Sequence, residues 1–188
     1  MANAESLPAA FDADRETDKF LAAVKKRAAT KFSWKKQASL ENAMRLAHWL
    51  YVFGKVEEAL EVCRFLGKYQ FTGNFNFWGW VEHTLALQAR IGRQRGEHDE
   101  AAESMRRVRA AGVVESRLKG SLLVDKLDRV KRAAAAEDKT GERDWSLTAL
   151  LELCVLIELG GSDTWPVATL EREFQQRVAR LRTLLNVP

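Results

Sequence analysis

One stretch of this chain is written twice. Gly54, Glu57, Glu58, Ala59, Glu61 and Arg64 recur forty-two residues later as Gly96, Asp99, Glu100, Ala101, Glu103 and Arg106, with apolar residues beside them in both copies. Each copy follows an apolar-periodic run, so each reads as the second arm of a helical hairpin. A hairpin of amphipathic helices cannot bury its apolar face alone, so a repeated hairpin must stack on a neighbour.

The rest of the chain agrees. Only three prolines occur among 188 residues rich in Ala, Leu, Glu, Lys and Arg, and no stretch alternates apolar and polar residues as a strand does. The fold class expected is all-α: about eight antiparallel helices stacked as hairpins. They form a single domain over residues 12–188, behind a flexible segment at 1–11.

The first helix is expected to begin near Asp12 or Asp14. The second begins between residues 33 and 39 and sets Leu40, Ala43, Met44, Ala47, Leu50 and Tyr51 on one face. Gly54 ends it, and Gly67 is expected to end the third helix in the left-handed conformation. Asn74 or Asn76 caps the fourth. The fifth is expected to stop at Gly112, and residues 137–141 read as a charged loop. Residues 144–159 are apolar on nearly every side and read as the central helix. Ser162 followed by Pro166 opens the last one.

Charge is mixed: 30 Lys and Arg against 26 Asp and Glu, a net of +4. That balance allows attraction to an acidic partner, though interspersed Lys and Glu on a solvated surface account for it as well. Cys63 and Cys154 lie on apolar stripes and read as buried thiols of a reducing compartment, so the cytoplasm is the expected location. No N-terminal apolar segment is seen. The apolar run 147–159 carries Glu152 and Glu158 and is too short to span a bilayer, so no membrane role is expected.

The run Ala47, Leu50, Tyr51, Gly54, Val56, Glu57, Glu58, Ala59 and Leu60 resembles the core of a tetratricopeptide repeat. Ala47, Gly54 and Ala59 fill the small-residue and turn positions of that family, and Ala89, Gly96 and Ala101 fill them in the second copy. There, Gly92 stands in place of a large residue. The period is longer than the family's, and the closing proline is missing from both copies. The resemblance implies a stack whose concave face holds a peptide. The whole chain also looks like small cytoplasmic helical proteins of bacteria, among them immunity proteins that neutralise a cognate toxin. That likeness rests on size, start, tryptophan content and degenerate repeats.

Chemistry is sparse. His48 and His83 sit on separate helices where they could meet, with Glu82 close by. No pair has the three- or four-residue spacing of a helical metal site, and each reads better as a hydrogen-bonded, partly buried side chain. Glu57, Glu58 and Glu61 form a solvated face. The glycines at 92 and 96 lack the lysine and strand of a phosphate loop. No catalytic residue, metal or cofactor is therefore assigned, and an enzyme is not expected.

Two features remain for partner binding. One is the aromatic knot at 71–80, where Phe75, Trp78 and Trp80, together with Trp34 and Trp49, either wedge repeats together or anchor a partner. The other is the basic stretch 90–132, with Arg90, Arg93, Arg95, Arg106 and Arg107, interleaved with carboxylates at helical spacing. The reading is a protein-binding module of the immunity type. A nucleic-acid-associated or regulatory protein using residues 90–132 is the alternative.

Overall fold

In the computed structural model, which describes residues 16–29, 32–119, 122–140 and 143–184, eight helices follow one another and no strand occurs among the described residues. They are α1 (Glu16–Ala29), α2 (Gln37–Val52), α3 (Val56–Leu66), α4 (Phe75–Gln94), α5 (His98–Lys119), α6 (Leu122–Thr140), α7 (Arg143–Glu158) and α8 (Val167–Leu184). The fold is all-α. The helices fall into two compact units, one over residues 1–84 and one over 85–188, with the boundary inside α4. In the first unit α2 packs on α1 and α3; in the second α7 packs on α6 and α8.

Three helices close with the same backbone motif. After α2, the Lys55 N–H donates to the Leu50 carbonyl at 2.9 Å and the Gly54 N–H to Tyr51 at 3.0 Å. After α4, Glu97 donates to Gly92 at 2.8 Å and Gly96 to Arg93 at 3.3 Å. After α7, Gly161 donates to Leu156 at 3.0 Å and Gly160 to Ile157 at 2.9 Å. In each, the turn glycine is left-handed, with φ of 76° at Gly54, 79° at Gly96 and 97° at Gly160. A residue with a Cβ is strained in that conformation, so glycine is what lets the last carbonyls of the helix find donors while the chain reverses.

The repeated sequence is therefore a repeated turn. Its small residues are buried with it: Ala47, Ala59 and Ala89 are fully enclosed and Ala101 nearly so. Gly92 has its own reason. A Cβ there would lie 3.3 Å from the Glu97 carbonyl oxygen and 3.6 Å from the Ala101 Cβ, so the end of α4 meets the start of α5 too closely for a larger residue.

The cores follow the expected stripes. Leu40, Ala43, Met44 and Leu50 of α2 are buried, as are Ala101, Met105 and Val108 of α5. Helix α7 is buried over nearly its whole length from Ser146 to Ile157, which fits its all-round apolar sequence. Asn74 is the residue that caps α4, its Oδ1 accepting from the backbone N–H of Asn76 at 3.1 Å and Phe77 at 3.4 Å. Ser162 Oγ accepts from Trp165 N–H at 3.1 Å ahead of α8.

Three expectations are corrected. Helix α5 does not stop at Gly112 but runs through it to Lys119. A lone buried glycine costs a helix only about 1 kcal/mol relative to alanine, and residues 110–114 around it otherwise sustain the turn pattern. Residues 137–140 are helical rather than loop, because Glu, Asp and Lys are all compatible with helix. Gly67 has φ of −60°, so α3 ends without a left-handed residue, its N–H still bonded to the Cys63 carbonyl at 2.7 Å. The expected helix start at Asp12 or Asp14, the segment 1–11 and Gly141 lie outside the described residues.

The glycines sort into two classes by substitution. Gly54→Ala and Gly96→Ala should each lower unfolding free energy by about 1 to 2 kcal/mol in urea denaturation, since each needs the left-handed well. Gly79→Ala should instead raise it by up to about 1 kcal/mol, because that glycine is helical and nothing lies within 4 Å of an added Cβ.

Candidate functional site

Three groups of rings stand out among the described residues of the first unit. Phe20 of α1 meets Trp49 edge-on at 5.0 Å, and Trp49 stacks on Phe53 at 5.9 Å. Trp49 is 3% exposed, so this group is core. Phe71 holds Phe75 at 5.1 Å and Trp78 at 5.3 Å, and Trp78 is 2% exposed.

The third group is a strip on the surface. Trp34, on the segment before α2, stacks on Phe65 of α3 at 4.9 Å and 27° and faces Tyr69 at 6.3 Å and 26°. Tyr69 continues to Phe77 of α4 at 6.4 Å and 12°. Phe32 closes the other end, edge-on to Trp34 at 5.1 Å and to Phe65 at 5.2 Å. Phe65 is buried and the other four rings are half-buried. Aromatic pairs of this kind add roughly 0.5 to 1.5 kcal/mol each beyond the area they cover. That energy helps hold the rings in place.

Lys68 places its Nζ 5.7 Å from the Phe65 ring centroid. Lys35 and Lys36 follow Trp34 in sequence, Arg64 precedes Phe65, and all three are exposed, as Lys68 is. The segments that carry the rings, residues 32–40 and 62–80, hold no Asp or Glu. Phe32 and Tyr69 were not legible as members of a site, because neither lies in the aromatic knot; the missing acids were the signal that joins their segments.

Of the expected contact residues, Trp34 lies on the strip. Trp49 and Trp78 are inside, so they act as packing. Phe75 is half-buried against Phe71. Trp80 is half-buried, its ring 6.5 Å from His83, and its indole N–H is enclosed with no hydrogen-bond acceptor.

The two histidines also converge. His48 is fully enclosed, and its Nδ1–H donates to the Met44 carbonyl at 2.9 Å. His83 Nδ1–H donates to the Gly79 carbonyl at 2.6 Å. Each therefore bonds the carbonyl four residues back along its own helix, which fixes the tautomer with the proton on Nδ1. Burial pushes His48 down to about 3, and the nearby His83 and Arg45 act in the same direction. Among the described residues, no group of three or more His, Cys, Asp or Glu side chains is arranged to hold a metal ion.

In the second unit several of the expected arginines pair with carboxylates, and Arg90 is enclosed with its partner. Arg90 is 2% exposed, grips both Glu171 oxygens at 2.8 Å and lies 4.0 Å over the Phe174 ring. This Arg90 bond is the main reason the Glu171 carboxyl is held below the usual range. Arg93 is exposed and binds Glu158 at 2.7 Å. Arg95 pairs with Glu97 at 3.1 Å, and exposed Arg106 with Glu103 at 2.6 Å. Arg107 is half-buried. Cys154 lies among Arg90, Arg93, Glu158 and Glu171, and burial raises its thiol to about 12, which keeps it protonated near neutral pH.

Acid should expose the buried imidazole. The unfolded chain carries His48 at its ordinary value of 6.5, so stability is complete above that pH and is lost as pH falls toward 3. The stability difference between the parent and His48→Gln should change by about 1 kcal/mol per pH unit from about pH 6 to about pH 4, the parent losing more. Urea midpoints across that range measure it.

Glu171→Ala should cost about 3 kcal/mol, because it strands the Arg90 guanidinium inside. Replacing both partners, with Arg90→Met and Glu171→Leu, should recover most of that loss. Thermal or urea unfolding of the three proteins decides it.

No helix among the described residues is long and apolar enough to cross a membrane. No curated protein and no solved structure matches the chain. Residues 2–183 match the model of a family of unknown function, DUF6707, and the chain belongs to that family.

Proposed function

We propose that this protein is a binding module that captures another protein, of the immunity type, and neutralises a cognate toxin by direct contact. The observation that supports this best is the strip of Phe32, Trp34, Tyr69 and Phe77. Its rings are packed against one another yet half open to solvent, and exposed cations adjoin them in sequence. Preorganised aromatic side chains make efficient interface anchors, because little rotamer freedom is left to lose on binding. The repeated glycine turns and enclosed alanines are consistent with tetratricopeptide-like hairpins, a scaffold suited to presenting such a surface.

Binding through residues 90–132 to nucleic acid has less support. Arg90 is enclosed in its fork with Glu171, and Arg93, Arg95 and Arg106 each have a carboxylate partner.

The product of the neighbouring gene should inhibit growth alone and be harmless when this chain is co-expressed. Trp34→Ala with Tyr69→Ala should keep the helical circular dichroism, yet weaken binding of that product by at least about tenfold, consistent with loss of an interface anchor. A neighbour that is harmless alone, or that does not bind, defeats the immunity reading.

A further inference from the structure

We infer that the Trp34–Tyr69–Phe77 strip receives an acidic segment of the partner protein; this rests on the protein-binding reading above and names the chemistry of the partner. The charge pattern comes first. Residues 32–40 and 62–80 together supply Lys35, Lys36, Arg64 and Lys68 and no carboxylate, in a chain where acidic and basic residues are otherwise interspersed. All four cations are exposed.

Ring packing prepares the surface. Phe65 stacks on Trp34 at 4.9 Å and 27°, and Tyr69 lies near-parallel to Trp34 at 6.3 Å and to Phe77 at 6.4 Å, so these half-buried rings are held in place. A ring edge carries the positive end of the aromatic quadrupole, so a carboxylate is favoured where it meets one. The exposed Gln70 and Asn76 beside them can bond the partner's backbone.

Two other occupants fit less well. A nucleic-acid strand binds aromatic surfaces by stacking bases on open ring faces, and Phe65 already covers one face of Trp34 at 4.9 Å. A second copy of this chain docked strip to strip would set Lys35, Lys36 and Lys68 against their own counterparts.

The test uses the full chain, a synthetic peptide alternating Glu with Leu, the same peptide with Lys for Glu, and oligo(dT). Amide and indole NMR shifts report the site. The Glu peptide should shift Trp34 and Tyr69 saturably below about 1 mM, with the affinity falling as salt rises. Lys35→Glu, Lys36→Glu and Lys68→Glu combined should weaken it by at least about tenfold, while Lys131→Glu with Arg132→Glu changes it less than about twofold.

The inference is overturned if the Glu peptide gives no saturable shift, or if the Lys peptide binds equally well. It also fails if oligo(dT) binds the strip in preference, or if the chain dimerises through it. The two proposals fail separately. A cognate partner whose binding needs Trp34 but ignores the lysine reversals sinks the acidic segment alone; a bound Glu peptide beside a harmless neighbour sinks the immunity reading alone.

Discussion

A helix that ends in a folded protein must find donors for its last carbonyls, and here a left-handed glycine supplies them three times. At Gly54, Gly96 and Gly160 the same pair of backbone bonds closes the helix and turns the chain back. The strain avoided at each turn is only about 1 to 2 kcal/mol. Its structural effect is larger, because the direction of the next helix, and so which apolar stripe meets which, follows from the turn. Enclosed Ala47, Ala59, Ala89 and Ala101 then let neighbouring backbones come close.

The second unit adds polar contacts inside that frame. Burying a guanidinium without a partner is costly, and the Arg90–Glu171 fork with the Phe174 ring beneath answers that cost. Such a pair adds little net stability over apolar residues of the same shape, and here it ties α4 to α8. The first unit uses imidazoles similarly, with His48 and His83 each tied to a carbonyl of its own helix. Both devices place ionisable groups in the interior with a hydrogen-bond partner for each.

Much of the fold was legible, for identifiable reasons. Apolar spacing marked α2, α3 and α7, and the doubled segment marked the turns at Gly54 and Gly96. Gly112 misled because a glycine within a helix looks in sequence like a glycine after one; what differs is φ, set by whether the next amides have carbonyls to reach. Residues 137–140 misled because charge reports solvent exposure and says little about helix. The site was less legible. Trp49 and Trp78 looked like anchors and are core, while Tyr69, a lone aromatic in a linker, completes the strip.

The sequence alone determined the helical class, the register of the hairpins and the positions of their turns. These are local quantities, set by side-chain period and by the backbone freedom of single glycines. Which tryptophans are buried, and which arginine is enclosed with its carboxylate, was decided by tertiary structure. Trp34 meets Phe65 and Arg90 meets Glu171 across long stretches of chain. A side chain's burial and pairing depend on what the rest of the chain brings to it, and no window of sequence contains that.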